Sequence, residues 1–153
     1  MKPADIFFTT ASDVVSEAIK FRTWSPWSHV ALIVSWPQVI SADADGVTRR
    51  DVRANELKKY AILTCSSLTD VQRLAIVDSA LTQVGKGYDY AGLGSFLVNK
   101  DLNDEDRWFC SELVFWAYQQ HGVMLQRRVD KAFINPGHIW ISPLLELVRK
   151  EIL

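Results

Sequence analysis

The sequence lacks the features that mark several large classes of protein. Its 153 residues include only two cysteines, Cys65 and Cys110, whose wide spacing is unlike a zinc site. With a net charge of −1, the protein lacks the broad positive surface that nucleic-acid binding needs. The two arginine pairs, at positions 49–50 and 127–128, are typical of solvated surface. We therefore expect no metal, no cofactor and no nucleic-acid partner.

Long apolar runs are also missing. No stretch approaches the ~18–20 apolar residues of a membrane span. The first ten residues, MKPADIFFTT, have neither the basic region nor the apolar run of about 7–15 residues that a secretory signal contains. The sequence therefore predicts a cytoplasmic protein without a transmembrane segment, and it leaves the oligomeric state open.

What is present is the composition of an ordinary globular domain, with 48% hydrophobic and 23% charged residues. We expect one domain over residues 1–153. Apolar patterns predict strands at residues 6–8, 29–35, 39–41, 47–52 and 60–65. They predict helices from residue 10 or 12 to about 21, from 70 to about 84, over 110–120, and from about 143. This order indicates an α+β fold in which helices pack against an antiparallel sheet.

The helix that begins after Thr69 carries its own start signal. Thr69 and Gln72 have the spacing of a capping box, and Gly85 supplies an end. The residues available for its buried face are Val71, Leu74, Ala75, Ala80, Leu81 and Val84.

Cys110 stands where a polar loop becomes an apolar helix. The free N–H groups and the positive dipole end of a helix start stabilise a thiolate, so we expect a lowered thiol pKa. The same N–H groups can bind an oxyanion. Cys65, at a strand end with no helix start beside it, has the context of a buried structural cysteine.

His29 opens the predicted strand 29–35, and a strand gives a general base a fixed direction. His121 lies eleven positions after Cys110, about 16 Å along the helix, and cannot reach the thiol. His138 sits in a predicted loop and is the remaining alternative as base.

Two segments, Ser28-His29-Val30-Ala31-Leu32 and Phe109-Cys110-Ser111-Glu112-Leu113-Val114, resemble the signatures of a known superfamily. It is the permuted NlpC-like superfamily, in the YiiX/YebB-like branch of papain-fold enzymes related to lecithin:retinol acyltransferase. The residues from Asp5 to Phe8 resemble the opening strand of that family, with Ala4 in place of a glycine. Because the histidine precedes the cysteine, the order is the permuted one, and His29 matches the family base.

The resemblance also implies the surroundings of the pair. The family usually has a glutamate on the strand after the histidine strand, and Ser41 stands there, with Asp43 on the same strand face as a possible substitute. Tyr88 matches a tyrosine that lines the family site, and Trp27 is a candidate wall of a substrate groove. Each of these aromatic residues is also an ordinary core candidate.

The expected function is that of a cysteine-nucleophile acyl hydrolase. The resemblance implies an amidase or peptidase acting on a cell-wall-type peptide, or a hydrolase of a lipid ester or amide, through an acyl-enzyme on Cys110. The alternative is a non-catalytic papain-fold module that binds a peptide or acyl chain, which the serine at position 41 favours.

Overall fold

The structure is a computed structural model, and it describes residues 1–10, 25–88 and 107–152. The predicted helix that ends near residue 21 and the polar loop 100–106 lie outside the described residues, as do positions 89–94 of the glycine-rich segment. None of the helices in the described ranges is long and apolar enough to cross a membrane.

Most of the described strands belong to one antiparallel sheet. The strands are Ile6–Thr9 (β1), His29–Ser35 (β2), Gln38–Asp43 (β3), Gly46–Asp51 (β4), Lys59–Thr64 (β5), Gly87–Tyr88 (β6), Arg107–Trp108 (β7) and Glu146–Ile152 (β8). Six of them pair in the order β4-β3-β2-β1-β5-β8, while β6 and β7 form a small parallel pair. The first strand of the chain is therefore interior, with β2 on one side and β5 on the other.

The helices pack against one face of this sheet. Their bounds are Asp70–Leu81 (α1), Cys110–Gln119 (α2) and Pro136–Trp140 (α3), with short 3-10 turns at Ala54–Lys58 and Lys131–Phe133. The larger apolar core lies between this face and α1 and α2, and a second cluster, which includes Phe7, Ala31 and Val39, occupies the opposite face. The α+β class predicted from the sequence is confirmed.

The predicted capping box of α1 is present, since Thr69 Oγ1 accepts the Gln72 N–H at 3.2 Å. The predicted buried face of α1 is largely wrong, because Val71 and Leu74 are 78% and 55% exposed. The buried residues are Arg73, Ile76, Val77 and Ala80, which follow helical spacing. A buried ion pair explains why this face of α1, rather than the predicted one, points into the core.

That ion pair joins Arg73 Nη1 to Asp5 Oδ1 at 2.9 Å. Arg73 also donates to Thr64 Oγ1 at 2.9 Å and to the Cys65 carbonyl oxygen at 2.7 Å. A charged side chain is buried only when it is paired and hydrogen-bonded. The ion pair with Asp5 therefore places Arg73 in the core, and the face of α1 that carries Arg73 is the buried face.

Ala4, before β1, has φ of 63° in the left-handed region. This conformation costs a residue with a Cβ about 1–2 kcal/mol, which explains the glycine of the family pattern at this place. Two hydrogen bonds hold the turn: the Ala4 N–H donates to the Ile33 carbonyl at 2.9 Å, and the Tyr118 hydroxyl donates to the Ala4 carbonyl at 2.5 Å.

The predictions for the C-terminal segment were wrong in two places. The residues after Asn135 form α3 rather than a loop, with the Asn135 side chain accepting the His138 N–H at 2.9 Å as the N-cap. The expected helix from about Pro143 is instead the strand β8, paired with β5. Strand β5 would otherwise expose its edge, and this non-local pairing overrides a helical apolar pattern.

Candidate active site

Cys110 is the first residue of α2 and is only 2% exposed. Its neighbours in the chain are held on both sides. The Phe109 N–H donates to Glu112 Oε2 at 3.1 Å, and the Ser111 hydroxyl donates to the Ile134 carbonyl at 2.8 Å. Cys110 thus begins a helix, as the sequence predicted, and its chain neighbours are held by hydrogen bonds.

Cys110 lies on the helix side of the sheet, in the same core cluster as Val30, the residue after His29. The backbone N–H of Val30, the residue after His29, faces the sulfur, as do the N–H groups of Ser111 and Cys110 itself. The ladder between β2 and β3 begins only at the Leu32–Ile40 pair, so β2 starts without a β3 partner in register at its first residues. His29 therefore lies at the end of the sheet, before the first paired residues of β2 and β3.

Ser41 bridges the same gap between β2 and β3. Its hydroxyl oxygen lies 2.6 Å from His29 Nε2, and the serine is buried. Asp43, the other predicted third residue, has other partners: its Oδ1 accepts the Asp45 N–H at 3.2 Å, and its Oδ2 lies 3.6 Å from Arg50 Nε. Of the two candidates, Ser41 is the one that contacts the imidazole.

Burial moves the pKa values of the thiol and the imidazole in opposite directions. Loss of water raises the pKa of Cys110 to about 12, against the weaker effect of the N–H groups around the sulfur. Desolvation and then the nearby Arg50 charge lower the pKa of His29 to about 4. The lowered thiol pKa expected from the helix start is therefore wrong for this state, because burial outweighs the helix terminus. At neutral pH both groups are uncharged.

A group of charged side chains next to His29 was missed in the sequence. Arg50 donates to both carboxylate oxygens of Glu56 at 2.8 Å, and the two side chains are 15% and 14% exposed. The arginine pair 49–50 was interpreted as solvated surface, which is wrong for Arg50. No local pattern links Arg50 to Glu56, since their meeting depends on how the 3-10 turn folds back onto β4.

Tyr88 and Trp27 pack against different aromatic residues. Tyr88, in β6, packs its ring 6.0 Å from that of Phe109, the residue before the cysteine. Trp27 is completely buried, with its ring 5.3 Å from Trp140 and 6.2 Å from Phe8. The Trp27 indole nitrogen has no hydrogen-bond partner among the described residues. The structure thus places Trp27 in the core, where it does not line an open groove.

The other two histidines have partners of their own. His138 Nδ1 accepts the Asn135 N–H at 3.3 Å within the cap of α3, and His121 Nε2 lies 2.8 Å from Ser79 Oγ, between α2 and α1. Within residues 1–10, 25–88 and 107–152, no three His, Cys, Asp or Glu side chains converge in a way that could hold a metal ion.

A papain-like fold with the histidine strand ahead of the cysteine helix defines the class of this protein. The family model described as "Permuted papain-like amidase enzyme, YaeF/YiiX, C92 family" matches residues 1–134. The chain belongs to this family, and the resemblance inferred from the sequence is confirmed.

Two proteins from Escherichia coli are similar to this chain. The "Probable lipoprotein peptidase YaeF" of strain K12 is 25% identical over 176 aligned positions, which cover 94% of this chain and 61% of that protein. The crystal structure of the metalloprotein yiiX from strain O157:H7 has a TM-score of 0.82 at 22% identity, and 99% of this chain and 98% of that chain are covered. The second likeness shows the fold alone.

Proposed function

We propose that this chain is a cysteine amidase or peptidase in which Cys110 is the nucleophile and His29 the general base. The observation that carries the proposal is the place of Cys110 as the first residue of α2, which packs on β2, the strand that begins at His29. The family to which the chain belongs is one of amidases, which supports acyl chemistry.

The tautomer of His29 follows from its partner. Ser41 lies at Nε2, so a base that accepts the thiol proton at Nδ1 must carry its own proton at Nε2 and donate it to Ser41 Oγ. The short 2.6 Å distance supports this bond. Ser41 is thereby proposed as an orienting residue, a part that a family glutamate would play with a negative charge in addition.

The neutral resting state determines the proposed order of events. As the sulfur attacks the substrate carbonyl carbon, its proton passes to His29 Nδ1, and the carbonyl electron pair moves to oxygen. N–H groups at the start of α2 stabilise that oxyanion. Collapse breaks the C–N bond, the leaving amine takes the proton from His29, and a thioester on Cys110 remains. Water then attacks the thioester with His29 again as base, releasing the acid and restoring the thiol.

The proposed substrate is an amide of a peptide or an acyl chain. The relative named a probable lipoprotein peptidase supports this class, although this chain spans only 61% of that protein. The cytoplasmic location predicted from the sequence stays a prediction, which fractionation of the producing cells tests.

Acyl transfer to the protein tests the proposal directly. We expect a p-nitrophenyl acyl ester to acylate Cys110, detected by mass spectrometry of the digest. His29→Ala should slow that acylation by about 10²–10⁴-fold, the usual contribution of a general base. Cys65, which is also buried, serves as the internal control. Equal slow acylation of both cysteines, unaffected by His29→Ala, would contradict the proposal.

The binding module is the second candidate, and two observations favour it. Cys110 is buried with a pKa raised to about 12, and a serine stands at the third position. If the ester test gives no selective acylation, saturable binding of an N-acyl peptide that does not require His29 would support this reading.

A further inference from the structure

Charged side chains from several elements converge beside His29. They are Asp43 on β3, Arg50 on β4, and Glu56 in the 3-10 turn, with Arg53 just before that turn. Strand parity and register put three of the polar residues on one face. Ser41 is opposite Thr48, so Asp43 and Arg50, each two residues along its own strand, share the face of Ser41.

Asp43, Arg50 and Glu56 form a connected charge cluster. Arg50 is bound bidentately by Glu56 at 2.8 Å, and its Nε lies 3.6 Å from Asp43 Oδ2. A bidentate arginine–carboxylate pair has a fixed orientation as well as strength. The guanidinium is thus held between two carboxylates rather than extended into water.

Glu56 is itself anchored next to His29. Its Oε2 also accepts the Arg53 N–H at 2.7 Å, and its carbonyl oxygen accepts the Thr9 hydroxyl at 3.1 Å. Thr9 is the direct partner of His29 in the β1–β2 ladder. Glu56 is therefore hydrogen-bonded to the β1 residue that pairs with His29 on the neighbouring strand.

The carboxylates of Asp43 and Glu56 supply negative charge near His29, which the Ser41 hydroxyl does not carry. During the proposed reaction His29 becomes an imidazolium, and a serine hydroxyl orients it without neutralising it. Arg50 and Arg53 oppose that positive charge, whereas Asp43 and Glu56 favour it. Asp43 and Glu56 thus balance the positive charges of Arg50 and Arg53 beside His29.

We propose that Glu56 is a positioning residue for His29: it holds Arg50 and balances its charge, so that His29 can accept a proton although its partner Ser41 is uncharged. Asp43 acts in the same sense from the other side of Arg50. This inference rests on the proposed function for its catalytic meaning, but its effect on His29 is measurable without any substrate.

The test is an NMR titration of the His29 imidazole in variants that remove either a negative or a positive charge of the cluster. The chain has only three histidines, and His29→Gln assigns the signal. Glu56→Gln should lower the titration midpoint by about 0.5–1 pH unit, and Arg50→Gln should raise it by a similar amount. These shifts are smaller than the ~1–3 units of a direct contact because the cluster is partly exposed. Asp43→Asn should lower the midpoint and serves as a second variant if Glu56→Gln does not fold.

The matched control is Glu151→Gln, which breaks a similar pair with Arg149 on β8 and should leave the midpoint unchanged. A purely structural role for the pair predicts the same direction of shift from Glu56→Gln and Arg50→Gln, and that result would overturn the inference. So would a shift in Glu56→Gln no larger than in the control. Opposite shifts without any selective acylation of Cys110 would support the inference and count against the proposed function.

Discussion

Acidification should destabilise this protein through His29, and the sign follows from its pKa. The pKa is about 4 in the folded protein against 6.5 for an ordinary histidine. Between these values the unfolded chain binds more protons than the folded one, so stability falls as the pH falls. The contribution is complete above about pH 6.5 and is lost progressively as the pH approaches about 4.

The magnitude can be worked from the same values. Each pKa unit corresponds to about 1.4 kcal/mol, and the difference of about 2.5 between 6.5 and about 4 gives roughly 3 kcal/mol. His29 is partly exposed, so solvent screening reduces this figure. We expect about 1–3 kcal/mol of stability at neutral pH that is absent in acid.

Urea unfolding at about pH 7 and about pH 4.5 measures this contribution for the parent protein and for His29→Gln. Ion pairs such as that of Glu56 also weaken in acid, but they do so in both proteins and cancel in the comparison. His121→Gln, a change between α1 and α2, is the control. If His29→Gln loses as much stability on acidification as the parent, burial does not hold His29 neutral and the reasoning fails.

Three further predictions concern the site and its frame. Ser41→Glu, which restores a carboxylate to His29, should raise the titration midpoint of the imidazole and speed acylation of Cys110, as NMR and mass spectrometry can measure. Alkylation of Cys110 by iodoacetamide should accelerate about tenfold for each pH unit from about pH 7 to 9, since its pKa is raised to about 12; a plateau in that range would contradict the raised pKa. Arg73→Met should cost about 3–5 kcal/mol in urea unfolding because Asp5 stays buried without its partner, and a cost below about 1 kcal/mol would contradict that account.

Local signals predicted the parts of the site that depend on neighbouring residues. The strand 29–35 has the bounds that its β-rich pattern predicted, and α2 begins at Cys110 as the change from polar to apolar residues indicated. Ser41, which contacts His29, was identified through the family resemblance, because it stands at the place of the family glutamate. Each of these features is determined within a few residues or by one strand pairing.

Features that depend on distant residues were not predictable in this way. The inward face of α1 is selected by Asp5, which lies far from Arg73 in the sequence, and β8 is a strand because β5 offers it an edge. The pKa of Cys110 depends on how deeply the folded core buries the thiol, and a helix start recognised in the sequence does not reveal that burial. Burial and long-range pairing are properties of the assembled molecule.

The interior place of β1 makes it the link between the strand of His29 and the rest of the sheet. On one side β1 pairs with the strand of His29, and on the other with β5, which holds β8 at the far edge. The turn before β1 is also tied to α2 through the Tyr118 hydroxyl. Deleting β1 would therefore divide the sheet into two separate pieces, one with the base and one without it.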